Sequence, residues 1–182
     1  MESKKDKIIE LFFNEPTREW HFEEIIKEAK LARSKADRWL KGFIKGGLIK
    51  RLKERGKMPY YMALYSSPEY RIQKRAYAQN QLHESGLLSR LLSLDNVDSV
   101  ILFGSFSRSD WYKGSDIDVF IYGNPKNLKI SPYETRLKRD IQLFICKDQA
   151  ELRKFGAGLI KNVIKGDLVK GGIDFVKIEI NA

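Results

Sequence analysis

The chain has 182 residues, of which 42% are hydrophobic and 32% charged, a composition that suits a globular protein and argues against a disordered one. Its formal net charge of +10 favours a polyanionic partner. No apolar run approaches the roughly 20 residues that cross a bilayer, the charged start leads into no signal-like segment, and the single cysteine, Cys146, excludes an internal disulfide. These features predict a cytoplasmic protein with no membrane partner.

The beginning of the chain predicts three helices. Residues 6–13 place their apolar positions on one helical face, and residues 21–30 form a second helical pattern with acidic residues in its first turn. Ser34 is a good N-cap for a third helix that runs to about Lys45, where two glycines end it.

A β-hairpin is predicted next. The runs 48–52 and 58–64 have the composition of strands, and the basic, glycine-containing segment 53–57 joins them. Three helices followed by such a hairpin resemble the winged helix-turn-helix fold. The sequence is similar to archaeal and bacterial transcription-regulator modules with the pattern H-F-x-E-I, basic helix, G-G-L-I, basic wing. The resemblance implies such a domain over residues 1–66 and duplex DNA as its partner, although many such modules serve in dimerisation or docking instead.

The positive charge of this segment is concentrated between residues 33 and 57, which hold ten Lys or Arg against two acids. On the third helix the basic residues share the face opposite the apolar stripe. A cationic helix face beside a basic hairpin tip favours contact with phosphate backbones. A solvated surface with no partner is the alternative. The candidate DNA-binding residues are Lys35, Arg38, Lys41, Lys45, Arg55 and Lys57.

The rest of the chain predicts a helical connector and a second domain. Residues 67–94 have helical patterns, and residues 95–182 alternate between strands and helices. This alternation predicts an α/β (α+β) domain with a small mixed sheet. Its strands are predicted at 97–103, 116–122, 139–146 and 175–180, and its later helices near 147–155 and 157–165.

The strongest chemical signal is Gly104-Ser105 followed, after ten residues, by Asp116-x-Asp118. Side chains at i and i+2 on a strand point to the same face, so the two carboxylates project side by side. They repel each other unless a divalent cation lies between them, and oxygen ligands favour Mg²⁺ or Mn²⁺. The Gly-Ser turn offers backbone N–H groups to a phosphate. A solvated strand end is the alternative.

This spacing resembles the signature of the DNA polymerase beta-type nucleotidyltransferase superfamily, which is Gly-Ser, a spacer and Asp-x-Asp. The ten-residue spacer is similar to that of its minimal nucleotidyltransferase branch, and the resemblance covers residues 97 to about 175. In the family a third carboxylate lies on a neighbouring strand. The position that fits is Asp140, because alternation makes Ile141, Leu143 and Ile145 the inward set.

The resemblance implies a set of ligands for each residue of the motif. The Gly104-Ser105 turn would bind the β- and γ-phosphates of an NTP, with ATP expected. Asp116 and Asp118 would hold the metal of the triphosphate, and Asp140 would help to hold a second metal that activates the acceptor hydroxyl. These three aspartates are the predicted catalytic and metal-binding residues. Ser115 is included among the nucleotide-binding residues.

The spacer between the two halves of the motif leaves several interpretations open. Arg108 lies where family members often carry a basic residue, and it is a further candidate for binding the nucleotide. Ser109-Asp110 is a departure, because a glycine is common after that basic residue, and the carboxylate of Asp110 adds negative charge. Trp111 and Tyr112 could stack on a nucleobase or pack on the sheet.

The leading prediction is a metal-dependent nucleotidyltransferase that moves a nucleotide, with AMP expected, from an NTP to a hydroxyl and releases pyrophosphate. A DNA-binding regulator whose transferase domain only senses nucleotide is one alternative. The minimal branch implies another, an antitoxin-type protein that modifies or binds a HEPN-type RNase partner. A chain of this size is expected to need a partner or a homodimer to complete a cleft. The acceptor is left open among protein tyrosine, RNA end, small molecule and antibiotic.

Overall fold

A computed structural model of the chain describes residues 4–176. The fold divides into two compact units. The first comprises Met1–Ala76 and Trp111–Lys113, and the second comprises Tyr77–Asp110 and Gly114–Ala182. The three-part division predicted from the sequence, with a connector over 67–94, stays a prediction.

The first unit contains three complete helices, the start of a fourth, and a three-stranded antiparallel sheet in which β3 (Tyr60–Ala63) lies between β1 (Trp20–His21) and β2 (Ile49–Leu52). The apolar positions of the helices turn inward, and Phe12, Ile25 and Leu40 are at most 1% exposed. The predicted order of three helices and a hairpin is present, and strand β1 was not predicted. The assignment to the winged helix-turn-helix class stays a prediction. The elements are α1 (Lys4–Asn14), β1 (Trp20–His21), α2 (Phe22–Ala29), α3 (Arg33–Lys45), β2 (Ile49–Leu52), β3 (Tyr60–Ala63) and the start of α4 (Pro68–Ser85).

The predicted N-cap of α3 is wrong. Ala32, not Ser34, occupies the N-cap position, and its carbonyl oxygen accepts two N–H groups of the first turn at 3.1 Å. Because Ala32 has no side-chain acceptor, the helix lacks the capping hydrogen bond that a serine at this position would supply. Arg33 is the first residue of the helix, and its guanidinium forms an ion pair of 2.7 Å with Glu23 of α2.

Trp111 is part of the core of the first unit. Its side chain is 1% exposed, and its ring meets the ring of Phe13 edge to face with centroids 6.2 Å apart. The buried ammonium of Lys74 lies 4.3 Å from the Trp111 ring centroid and donates to the carbonyl oxygens of Trp111 (2.5 Å) and Phe13 (2.9 Å). The N–H of Lys113 donates to the carbonyl oxygen of Asn14 at 2.7 Å. Trp111 is therefore not available to stack on a nucleobase.

The second unit is built on a four-stranded sheet whose strands lie in the order β6 (Ile141–Cys146), β5 (Ile117–Gly123), β4 (Val97–Phe103) and β7 (Asp167–Lys170). Strands β5 and β6 are parallel, and the other pairs are antiparallel. This confirms the predicted small mixed sheet. Most of the strand predicted at 175–180 lies outside the described residues. The elements are the end of α4, α5 (Leu87–Leu92), β4 (Val97–Phe103), α6 (Gly104–Arg108), β5 (Ile117–Gly123), α7 (Ser131–Leu137), β6 (Ile141–Cys146), α8 (Gln149–Leu152), α9 (Ala157–Ile164) and β7 (Asp167–Lys170).

Both faces of this sheet carry buried side chains at β5. One set belongs to a core cluster whose buried members are Ile101, Phe103, Phe120, Cys146, Val163 and Phe175. The alternate positions of β5, which point to the opposite face, are Ile117, Val119 and Ile121, each 0% exposed. Near-continuous burial of this kind is expected for a strand inside a sheet that is covered on both sides.

The inward set predicted for β6 is only half right. Ile141 is buried at 5% exposure, but Ile145 is 37% exposed. The opposite face of β6, to which Asp140 belongs by alternation, carries Phe144 and Cys146, and these pack in the core cluster. Alternation alone does not say which face of such a strand is inward.

Candidate active site

The aspartates of the Asp-x-Asp motif lie at the start of β5, beside the end of β4. Asp118 is the Cα partner of Phe103, the last residue of β4, so the carboxylate stands next to the Gly104-Ser105 turn. Asp118 is half-buried and Asp116 is exposed. The structure thus brings the two halves of the motif together at one edge of the sheet.

Gly104 lies so close to the Asp118 side chain that no other residue type would fit at position 104. Gly104 has a φ of +76°, and a Cβ placed on it would lie 1.9 Å from Oδ2 of Asp118. Glycine adopts this backbone conformation without strain and has no side chain to collide. The glycine of the motif is therefore required by the position of the aspartate as well as by its own backbone.

The electrostatics of Asp118 indicate a place where a cation would be favourable. Burial raises the pKa of the Asp118 carboxyl above its usual range, and the neighbouring carboxylate of Asp116 raises it further. The guanidinium of Arg108 lowers it. A half-buried carboxylate beside a second carboxylate is destabilised in its ionised form, and a divalent ion nearby would offset that destabilisation.

Helix α6 joins the Gly104-Ser105 turn to the spacer. Phe106 and Ser107 are buried on its inner side, and the hydroxyl of Ser107 donates to Oδ2 of Asp167 on β7 at 3.1 Å. Arg108 ends the helix and pairs with Asp110, Nε to Oδ2, at 3.1 Å. Asp110, the carboxylate that departs from the family pattern, is thus the partner of Arg108, the basic residue predicted to bind the nucleotide.

Asp140 reaches the same edge of the sheet through its backbone. It directly precedes β6, and its carbonyl oxygen accepts the N–H of Ile117 at 2.9 Å, so it lies beside Asp116 where two parallel strands begin. Its side chain is exposed. Among residues 4–176, however, the His, Cys, Asp and Glu side chains form no group of three that could hold a metal ion. The structure brings Asp116 and Asp118 together beside Gly104, and the role of the Asp140 carboxylate as a third ligand stays a prediction.

One residue at this edge, Arg139, makes contacts that the sequence does not predict. Ser115, a predicted nucleotide-binding residue, is 9% exposed, and its carbonyl oxygen accepts Nη1 of Arg139 at 2.9 Å. The same guanidinium lies 5.5 Å from the centroid of the Phe106 ring. The only signal in the sequence was a basic residue next to Asp140, which gives no indication of these partners.

The predicted DNA-binding residues all lie on the surface of the first unit. Four project from α3 and two from the β2–β3 loop. Lys41 pairs with Asp37 at 2.7 Å, and Lys57 pairs with Glu54 at 2.6 Å. In the part of the chain that the structure describes, no ion pair forms at the other four, Lys35, Arg38, Lys45 and Arg55.

Comparison with known families bears on the second unit. The model of the nucleotidyltransferase domain family matches residues 84–170, a span that runs from the end of α4 to β7 and includes the Gly-Ser turn and all three aspartates. The match supports membership of this part of the chain in the nucleotidyltransferase superfamily and transferase activity in general. No curated protein matches the chain. None of the helices described in residues 4–176 is long and apolar enough to span a membrane.

Proposed function

We propose that the second unit is a metal-dependent nucleotidyltransferase that moves a nucleotide, with AMP from ATP expected, to a hydroxyl acceptor. The observation that carries the proposal is the contact of the Asp118 carboxylate with Gly104, which puts the proposed metal-binding group beside the proposed phosphate-binding turn. The family match over residues 84–170 supports nucleotidyl transfer in general. Asp116, Asp118 and Asp140 are the proposed catalytic residues.

The donor set fits Mg²⁺ or Mn²⁺. Carboxylate oxygens are the ligands that these hard ions prefer, and Asp118 carries a raised pKa that a nearby cation would reverse. Asp116 and Asp118 would hold the ion of the triphosphate, and Asp140 would help to hold a second. When bound, such ions offset the charge of the phosphates and lower the pKa of the acceptor hydroxyl.

The chain's own residues would bind and orient the nucleotide. Backbone N–H groups of Gly104 and Ser105 would receive the β- and γ-phosphates, with Arg108 and Ser115 nearby. The acceptor oxygen then forms a bond to the α-phosphorus while the bond from that phosphorus to pyrophosphate breaks. Pyrophosphate leaves with the electron pair, and the hydroxyl proton passes to water.

The test is a labelling assay on the full chain. The protein is incubated with each α-labelled NTP, Mg²⁺ or Mn²⁺, and cell extract from the source organism as the supply of acceptors. A labelled product that forms with the wild type and is absent with Asp116→Ala supports the proposal. If the wild type transfers no label from any NTP with either metal, the proposal fails and the nucleotide-sensing alternative is favoured.

A second candidate function, duplex DNA binding by the first unit, rests on a separate observation. Lys35, Arg38, Lys45 and Arg55 are exposed cations with no acidic partner in the described part of the chain, which favours contact with a phosphate backbone. Such binding would make the protein a DNA-associated transferase or a regulator. The HEPN-type partner and the homodimer stay predictions.

A further inference from the structure

Arg139 links two segments of the second unit that carry the halves of the motif. Its Nη1 donates to the carbonyl oxygen of Ser115, the residue before the aspartate pair, at 2.9 Å. Its guanidinium carbon lies 5.5 Å from the ring centroid of Phe106, in the helix that begins at Gly104. Phe106 and Ser115 are 6% and 9% exposed, so both partners are buried.

The backbone from which this guanidinium extends is itself fixed. The N–H of Arg139 donates to the carbonyl oxygen of Glu134 at 3.4 Å, and the N–H of Ile141 donates to the Glu134 carboxylate at 3.0 Å. Between them the carbonyl oxygen of Asp140 accepts the N–H of Ile117 at 2.9 Å. Arg139 therefore connects the start of β6 with both segments of the motif.

Only arginine combines these two contacts. Its planar guanidinium donates hydrogen bonds in its plane while its face lies over an aromatic ring, whereas the ammonium of a lysine is a point charge on a flexible stem. The position of the two segments matters because Asp118 touches Gly104, and a displacement of about 1 Å in a reactive site can lower a rate by about 100-fold.

We infer that Arg139 is a positioning residue of the proposed transferase site, which holds the turn at Ser115 against the helix at Phe106. The two contacts of Arg139, with Ser115 and with Phe106, set the distance between the aspartate pair and the Gly104-Ser105 turn. The effect on nucleotide binding and transfer rests on the proposed function, but the effect on the order of the two segments does not.

Arg136 provides a matched control. Its guanidinium lies 5.8 Å from the ring centroid of Tyr133 and donates to the carbonyl oxygen of Ser85 at 2.7 Å. It makes the same two kinds of contact in the same unit, and neither partner belongs to the motif. Arg139→Met and Arg136→Met should therefore lose similar amounts of stability, and they should differ at the site.

The first measurement is amide hydrogen exchange on the full chain, with EDTA and without nucleotide. Arg139→Met is expected to speed exchange of residues 104–108 and 115–118 by about tenfold or more relative to the wild type, because local opening becomes easier. Arg139→Lys, which keeps the charge and is the milder change, should do the same, and Arg136→Met should not. Unchanged exchange of these two segments in both Arg139 variants would overturn the inference.

The second measurement is a titration with a fluorescent ATP analogue and Mg²⁺. Both Arg139 variants should bind it at least about fivefold more weakly than the wild type, and Arg136→Met within about twofold. Faster exchange with unchanged binding would make Arg139 a purely structural residue and overturn the positioning role. If the wild type does not bind the analogue while exchange changes as expected, the contact is supported and the expectation of Mg-ATP as the donor fails.

Discussion

Arg108 and Asp110 form an ion pair, Nε to Oδ2 at 3.1 Å, at the start of the spacer that leads to the aspartate pair. Their side chains are 50% and 58% exposed, so the pair contributes little to folding stability. Its position is what matters, because Arg108 also lowers the pKa of Asp118. The positive charge of Arg108 thus acts on Asp118 in the proposed site, and Asp110 partly neutralises that charge.

We expect Asp110→Asn to tighten binding of Mg-ATP, by about three- to tenfold at low salt, since it removes a repulsive charge and releases the Arg108 guanidinium. Titration of the wild type and the variant at about 50 mM and about 500 mM salt checks this. The advantage of the variant should shrink as salt rises. A gain that is equal at both salt concentrations would show that the cause is not electrostatic.

Gly104→Ala should abolish Mg-ATP binding, because the new methyl group would occupy the space of the Asp118 carboxylate. Gly114 is the matched control. It also has a positive φ, +83°, but a Cβ placed on it would meet nothing within 4 Å. Both alanine variants carry the backbone cost of about 1–2 kcal/mol, and only Gly104→Ala adds the collision. Thermal unfolding with and without Mg-ATP measures both effects, and equal ligand stabilisation in the two variants would contradict the assignment of the turn.

Asp118→Asn should stabilise the protein in EDTA at pH 7. Because burial and Asp116 raise the pKa of Asp118 in the folded protein, the folded state binds this proton more tightly than the unfolded chain does. The stability that the protonated group contributes is present at low pH and is lost as pH rises through the folded-state pKa. The gain from asparagine should therefore be full at pH 7 and disappear below about pH 4.

Urea unfolding across this pH range measures that gain, and the same variant should lose the thermal stabilisation that Mg-ATP gives the wild type. A lower free energy of unfolding for Asp118→Asn at pH 7 would mean that the ionised carboxylate has a stabilising partner in the apo protein.

Asp140→Asn should separate chemistry from binding. The variant keeps the shape of the side chain and removes its charge. If the carboxylate acts only on the acceptor hydroxyl, Mg-ATP binding should stay within a few-fold of the wild type while transfer falls by about 100-fold or more, the pattern of an interaction made mainly in the transition state. Labelling and titration are run on the same preparation. Equal losses of binding and transfer would make Asp140 a shared ligand of the bound nucleotide.

Binding of duplex DNA by the full chain should weaken steeply as salt rises, with a slope of about −0.9 per phosphate contact in log–log terms. Replacing Lys35, Arg38 and Lys45 with Ala should flatten the slope by about one unit for each lost contact. These three lack an acidic partner in the described residues, unlike Lys41.

The charge-matched control for that triple variant replaces three exposed lysines of the second unit, Lys126, Lys129 and Lys138. Its salt slope should equal that of the wild type. If both triple variants bind DNA alike, the basic face of α3 is a solvated surface and any binding comes from total charge.

The local parts of the fold could be predicted from the sequence. Strand β4, the Gly104 turn and strand β5 follow one another in a pattern of alternation, glycine and spacing that lies within residues 97–123, so this part of the fold could be predicted from nearby residues alone. The contact of Gly104 with Asp118 is closer than the spacing of the motif requires, but it also arises from the pairing of β4 with β5.

Long-range packing accounts for what could not be predicted. The inward face of β6 depends on Phe175 and on helix α9, more than ten residues away along the chain. The place of Trp111 depends on Phe13, and the role of Arg139 depends on Phe106. No local periodicity contains such partners, because they meet only when distant segments pack together.

The chain enters the first unit twice, since Trp111–Lys113 returns to it from the middle of the spacer. A fragment that begins at Tyr77 would keep the whole family match but lose Phe13 and Lys74, and the indole of Trp111 would be left without its cover. The transferase half is therefore not a detachable module. In any exchange of domains between related proteins, the tripeptide 111–113 would have to travel with the N-terminal half, and we expect substitutions at Phe13 and Trp111 to be inherited together.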